Sequence, residues 1–415
     1  MTAYAPAAIY PRASLLSVRA LRLCAFFVIS LYPIVIGDSG IGANYSFVLL
    51  PLAVAMVHGS VRRPPSGFLY LIMMYTAIFV IAAVYQYEFY QDGGRRLASF
   101  ILFMTMFAYA FVDIDEVMVR SFAAAVVIMS ILLSLSSVVI FFVAGGSSLG
   151  FEAKNVVGSQ RVGFLYLFAL WIVYLQPVSG IARRVAKQGI AIVLLVGLFL
   201  TFSRSSVIAL LGSMGLFWLV GFGDWLRKPR LRAVLVAVAI LAATVLALGL
   251  VWWLVPVVFD FFDTRLFEYA LNSDVVDQDL SNEHSSGGTR IFLWRHILDF
   301  VADNPLTGTG YLGVWSIVGS FSGSAHNQYA DVLLRTGVPG LLAYLGLLAV
   351  LLRYLRRVHR GFFWGLIAVL IYGMLHETFK ETHGTFMLAF LLGMMAGSPR
   401  RRLPPGTDGV PRPPS

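Results

Sequence analysis

The sequence predicts an all-α polytopic membrane protein with about twelve transmembrane helices and one large polar loop that contains short helices. Three observations predict it. Of 415 residues, 59% are hydrophobic and 13% charged, with a mean hydropathy of +0.80. Soluble domains average ~45–50% apolar and ~25% charged residues. Apolar runs of about 18–23 residues recur along the chain, the length a helix needs to cross a hydrocarbon core. One long polar interval, Phe259 to Gly337, interrupts them. Helices are the economical solution because the bilayer interior offers no water to the backbone.

The first run, 21–37, follows Arg12, Arg19 and Arg22 and contains the single cysteine, Cys24. A lone cysteine excludes an intrachain disulfide and a cysteine zinc cluster. A second apolar run follows at once, so the first reads as a retained span rather than a cleaved signal. Further runs at 41–59, 67–86, 97–113, 121–143, 162–177, 188–203, 205–222 and 232–259 complete nine spans within 1–259. After the polar loop, 260–337, three more runs at 338–355, 361–376 and 383–397 occupy 338–397. The tail 398–415 is rich in Pro and Arg and reads as disordered.

Charge sets the orientation. The net charge is +10, but the basic residues sit in short loops between apolar runs, which is a topology signal rather than a nucleic-acid footprint. With an even number of spans both termini share a side. That side then holds 21 of the 31 Lys and Arg, including Arg183, Arg184, Lys187, Arg227, Lys228, Arg353, Arg356, Arg357 and Arg360. The loop Asp113–Arg120 is the exception. By the positive-inside bias both termini are cytoplasmic, and the loop 260–337 faces outward, which in a bacterium means the periplasm or cell exterior.

Within that loop, Asp274–Gly288 reads as mobile, and Thr289 as the cap of a helix from about Arg290 to Asp303. Ile291, Trp294, Ile297, Leu298 and Val301 supply its apolar face, and Asn304-Pro305 ends it. Gly308, Gly310 and Gly313 form a turn-rich link. A second helical stretch opens at His326 and runs through Arg335, before a break at Gly337 and Pro339.

Three outward groups can carry chemistry. Arg204, in Thr201-Phe202-Ser203-Arg204-Ser205-Ser206, sits at an outer membrane edge near a helix start. Free N–H groups and a guanidinium fork there suit a phosphate or diphosphate. A snorkelling arginine is the ordinary alternative, but an outward Arg runs against the charge bias. Arg290, placed in a helix's first turn, opposes the helix dipole, which suggests a contact elsewhere; an exposed loop arginine is the alternative. His326, at a helix start on the membrane surface, suits a general base or a hydrogen-bonded structural role. Arg161 is another arginine at an outer helix start, and Lys380 can meet an anion from the next outer loop. Asp331 and Arg335 have the spacing of an internal ion pair. His376, Glu377, Glu381 and His383 lack the zincin spacing, so no metal site is expected there. No P-loop, nucleophile elbow or dinucleotide fingerprint is present.

Three signatures in order resemble the bacterial O-antigen ligase and O-antigen polymerase family. They are Thr201–Ser206; Gly288-Thr289-Arg290-Ile291-Phe292-Leu293-Trp294-Arg295 with Asn304–Gly310; and His326-Asn327-Gln328-Tyr329 with Gly337-Val338-Pro339-Gly340. The resemblance covers about residues 160 to 345. It implies a membrane glycosyltransferase that moves a glycan from undecaprenyl diphosphate to an acceptor hydroxyl on the periplasmic face of the inner membrane, without a metal or other cofactor. Ligases use the lipid A–core as acceptor; polymerases use a second lipid-linked glycan. By the matching motifs, Arg204 and Arg290 would grip the diphosphate and His326 would activate the acceptor. The ligase is the preferred expectation, with an O-antigen or exopolysaccharide polymerase as the alternative. A multi-span transporter or glycolipid flippase fits less well, because the distinctive polar groups sit in outward loops rather than near mid-membrane.

Overall fold

A computed structural model describes residues 18–36, 69, 73, 111–143, 162–201, 203–226, 286–310, 313–318, 324–376 and 382–397. The spans expected at 41–59 and 232–259, nearly all of those at 67–86 and 97–113, the loop 274–285 and the tail 398–415 lie outside the described residues. Among the described residues every regular element is a helix. In order they are α1 (Val18–Ile36), α2 (Glu116–Val143), α3 (Gly163–Leu175), α4 (Ile181–Leu200), α5 (Arg204–Leu226), α6 (Ser286–Asp303), α7 (Trp315–Val318), α8 (Gln328–Val358), α9 (Arg360–Gly373) and α10 (Thr382–Gly397). Three stretches among them are long and apolar enough to cross a membrane: Glu116–Ile140, Arg204–Gly221 and Gln328–Val358. Gly163–Leu175, Arg360–Gly373 and Phe386–Ala396 are shorter apolar helices.

Local chemistry explains where the helices start. α2 begins ahead of the expected residue 121 because Asp115 caps it, accepting the Met118 N–H at 2.8 Å. Asp115 also pairs with Arg19 at 2.7 Å, and Glu116 pairs with Arg120. The acidic loop that breaks the charge bias is thus matched by arginines, one of them on α1. α4 begins ahead of residue 188 and takes Arg183, Arg184 and Lys187 into its first turns. Lys187 donates to the carbonyls of Tyr174 and Gln176 at 2.7 and 2.9 Å, closing the free end of α3.

α3 is buried on every side from Gly163 to Val173, as expected of a helix apolar all round. It packs against α2, α4, α5 and α9. At one end of it, Gly163 lies against Ser206 of α5 and Tyr372 of α9. Further along, the Trp171 indole donates to Ser213 Oγ of α5 at 3.1 Å and stacks on Trp364 of α9. α3 and α5 therefore run the same way and α9 runs against them. A second aromatic cluster joins α1, α2 and α10, where Phe122 stacks on Phe390 at 3.8 Å and Phe27 packs edge-on to both.

α6 and α8 form a smaller core of Leu293, Ile297, Val301, Val314, Ala325 and Leu334. α6 starts at Ser286, so Thr289 lies inside the helix and is not its cap. Its buried face is Leu293, Ile297 and Val301, rotated from the expected one; Leu298 is exposed. Asn304 ends the helix, its N–H donating to the Phe300 carbonyl at 2.9 Å. α8 starts at Gln328, where the Asn327 side chain accepts the N–H groups of Tyr329 and Ala330. It continues past Arg335 through a kink at Gly337, whose φ of 64° lies in the left-handed region.

The stretch 304–310 locks onto that kink. Thr309 N–H donates to the Leu334 carbonyl at 2.7 Å, and Val338 N–H to the Pro305 carbonyl at 2.8 Å. A Cβ on Gly337 would lie 2.6 Å from the Pro305 oxygen. Gly337→Val combines that clash with left-handed backbone for a β-branched residue. It is expected to destabilise the protein by at least about 2 kcal/mol. Thermal unfolding of the detergent-solubilised protein checks this, and an unchanged midpoint would contradict the kink's role.

Candidate active site

The end of the bundle at which α3 and α5 begin and α9 ends gathers the distinctive polar groups. α5 opens on Arg204, which is half-buried. Ser203 caps the helix, its side chain and its carbonyl accepting the Ser206 N–H at 3.3 and 3.1 Å. Ser203, Ser205 and Ser206 are buried. Ser206 Oγ and the Tyr372 hydroxyl both crowd the space a side chain on Gly163 would take, the hydroxyl 3.3 Å from it. The absence of a side chain at Gly163 thus lets the first turn of α5 approach the end of α9.

α8 reaches the same end. The Tyr329 hydroxyl donates to the Leu370 carbonyl of α9 at 2.8 Å. Three residues earlier stands His326, the only non-glycine with positive φ among the described residues, at 50°. Such a conformation costs about 1–3 kcal/mol for an ordinary residue and persists where its surroundings hold it. Here the Ser324 hydroxyl oxygen accepts the His326 N–H at 3.1 Å. The preceding carbonyl, of Ala325, accepts the Trp294 indole N–H at 3.1 Å. Ala325 itself is buried in the core between α6 and α8. α6 and the start of α8 are therefore joined directly beside His326.

Arg290 lies one turn inside α6, not in its first turn, so the argument from an unfavourable dipole position does not hold for it. Its helix is tied to the residue before His326 by the bond from Trp294 to the Ala325 carbonyl. Burial, with Arg290 and His326 as lesser causes, pushes the pKa of His376, just past the end of α9, down from the ordinary 6.5 to about 3. Its ring stacks on Tyr372 with centroids 4.7 Å apart. The structure thus puts His326, joined through Ala325 to the helix that bears Arg290, at the end of the bundle where Arg204 opens α5. Arg161 and Lys380 lie outside the described residues.

His376 and Tyr372 have no place in the three sequence signatures. His376 reads there only as part of a weak metal motif. Its signal is positional: a titratable residue at the outward end of an apolar run. Asp331 and Arg335 form the expected ion pair, Arg335 Nε donating to Asp331 Oδ2 at 2.8 Å. The pair lies beneath the link, where Arg335 occupies the space beside Gly313. Asn327 caps α8. Among the described residues no three His, Cys, Asp or Glu side chains are grouped to hold a metal ion.

Residues 189–345 match the family Wzy_C, described as O-Antigen ligase. This segment is similar to the O-antigen ligase family. It contains Arg204, Arg290 and His326, whereas Gly163, Tyr372 and His376 lie outside it. Members of the O-antigen ligase family are membrane glycosyltransferase-like enzymes, and the family implies lipid-linked glycan substrates. No curated protein matches the chain.

The buried neutral imidazole of His376 has a consequence for acid stability. Its folded pKa lies below the unfolded value, so on acidification the unfolded chain takes up the proton first. The stability it contributes is complete above about pH 6.5 and is lost as the pH falls toward about 3. His376→Phe keeps the ring and removes the titration. The variant is expected to lose less stability than wild type between pH 7 and pH 4, measured as thermal midpoints in detergent. Parallel acid profiles would contradict the buried neutral state.

Proposed function

We propose that the chain is an O-antigen ligase that transfers a glycan from undecaprenyl diphosphate to a hydroxyl of the lipid A–core, at the outer face of the bacterial inner membrane. The observation that carries this reading is that His326, joined through Ala325 to Trp294 of the helix that bears Arg290, stands at the end of the bundle where Arg204 opens α5. Two guanidiniums from separate elements beside an imidazole suit a reaction that expels a diphosphate while a hydroxyl loses its proton.

In this reading the acceptor oxygen attacks the anomeric carbon of the donor glycan. The bond from that carbon to the diphosphate oxygen breaks, and undecaprenyl diphosphate leaves with the electron pair. His326 takes the acceptor's proton. Arg204 and Arg290 meet the charge that develops on the leaving diphosphate, supported at Arg204 by the N–H groups of the first turn of α5. A diphosphate is a good leaving group, so fixed cations suffice where a strong general acid would otherwise be needed.

Orientation follows from charge. Lys187 closes the far end of α3, and Arg353, Arg356, Arg357 and Arg360 flank the junction of α8 and α9, away from His326. The positive-inside rule assigns that basic end to the cytoplasm, and therefore supports a periplasmic site with cytoplasmic termini.

Deletion in the native bacterium, followed by gel analysis of surface lipopolysaccharide, tests the acceptor. The ligase reading expects bare core at the surface and full-length polymer retained on the carrier. Core capped by one repeat would identify a polymerase of O-antigen, and an unaltered profile would point to an exopolysaccharide polymerase.

A further inference from the structure

We infer that Trp294 is a positioning residue for glycan transfer: its indole bond to the Ala325 carbonyl fixes the backbone on which His326 stands and sets its place relative to Arg290. This rests on the proposed roles of His326 and Arg290 and adds to them a residue that takes no part in the bond changes.

The placement comes from one peptide unit. A peptide bond is planar, so holding both of its polar ends fixes its plane. The unit between Ala325 and His326 is held at both ends. Trp294 Nε1 donates to its carbonyl at 3.1 Å, and Ser324 Oγ accepts its N–H at 3.1 Å. The φ of His326 is the rotation away from that plane, and it stands at 50°, in the left-handed region. The two contacts differ in reach. Ser324 lies two residues from His326 and can move with the same segment of chain. Trp294 lies 31 residues from Ala325, on α6, and packs against the core that contains Leu293, Ile297, Ala325 and Leu334. Trp294 therefore refers the His326 backbone to a separate helix.

The same indole sets the spacing to Arg290. Residues four apart on an α-helix share a face and lie ~6 Å apart along its axis. Arg290 and Trp294 are such a pair within α6. The connection from the residue that bears the guanidinium to the one that bears the imidazole is thus one helical turn, one hydrogen bond and one peptide unit. Without the indole N–H, a non-glycine residue at positive φ has a lower-energy conformation open to it at negative φ. The imidazole would then swing with its backbone while Arg290 stays on its helix. A displacement of about 1 Å can cost about 100-fold in rate. The cationic contacts to the donor's diphosphate would survive, so turnover should suffer and donor affinity should not.

The experiment measures steady-state transfer by the full-length protein, with the native undecaprenyl-diphosphate-linked glycan as donor and the lipid A–core as acceptor, at a temperature where every variant is folded. Wild type is compared with Trp294→Phe, Trp294→His, His326→Ala and the double variant Trp294→Phe with His326→Ala. Trp294→Phe keeps an aromatic ring but has no N–H. Its kcat should fall about 10- to 100-fold while the donor KM stays within about twofold of wild type. Imidazole Nε2 holds the same place in a five-membered ring as indole Nε1, so Trp294→His retains the donor and should recover most of that loss. In the His326→Ala background no imidazole is left to position, so Trp294→Phe should change the rate by no more than about twofold. An equal loss in both backgrounds, or a kcat for Trp294→Phe equal to wild type, overturns the positioning role and leaves the base reading standing. A wild-type rate in His326→Ala overturns the base reading and the positioning role with it. Should the phenylalanine variant fail to fold, Trp294→Met, which fills the space with an adaptable side chain, decides on the same criteria.

Discussion

Replacing His326 with alanine is expected to lower glycan transfer by about 100- to 10,000-fold in a reconstituted assay with lipid-linked donor and acceptor, the range for loss of a general base. The protein should remain folded. His326 lies outside the regular turns of α8, which begin at Gln328 under the Asn327 cap. Alanine loses the imidazole but leaves the Ser324 contact to the backbone N–H and the Trp294 contact to the Ala325 carbonyl available. The donor should still bind, since the guanidiniums remain. Turnover should therefore fall much more than donor affinity. A His326→Ala protein that melts like wild type and transfers glycan at the wild-type rate would eliminate the base role.

The second large effect is structural. Asp331→Ala should destabilise the protein by about 3–5 kcal/mol, the cost of removing one partner from a buried ion pair. The Asp331 and Arg335 side chains are only 3% and 12% exposed. Without the carboxylate, the Arg335 guanidinium stays beneath the link at Gly313 without its neutralising partner. The same link holds the kink at Gly337 and joins α6 to α8. The damage should thus spread from α8 to the alignment of Arg290 with His326. Thermal unfolding should show the loss directly, and the transfer rate should fall even at temperatures where the variant stays folded. A shift of less than about 1 kcal/mol would place the pair with exposed ion pairs of small effect.

Arg204 stands out in the sequence because a polar group bordering long apolar runs is costly to place and so demands a partner or a purpose. Arg290 and His326 stand out by their places at helix starts within the polar interval. The Asp331–Arg335 pair is legible because helical spacing alone puts the two side chains together. The start of α6 is not. Two adjacent glycines, Gly287 and Gly288, read as loop, and packing at the buried Gly288 overrides that low propensity. The buried face of α6 is also hard to read. Its exposed Leu298 is as apolar as its buried Ile297, so hydrophobicity alone does not mark the inward side. His376 is least legible of all, because nothing near it in sequence marks its burial.

Gly163 sets a dimensional tolerance for the chemistry. In a bilayer, helices gain little by hiding apolar surface from one another, and close fit between small residues has to hold them instead. At Gly163 that fit is tight enough that one methyl group would have to turn the Ser206 hydroxyl aside and press on the Tyr372 hydroxyl, 3.3 Å away. An added methyl there would act as a shim between α3 and its two neighbours. It would push the turn carrying Arg204 and the ring supporting His376 apart while leaving every charged group present. The site is therefore gauged by a hydrogen atom on a residue that takes no part in the reaction.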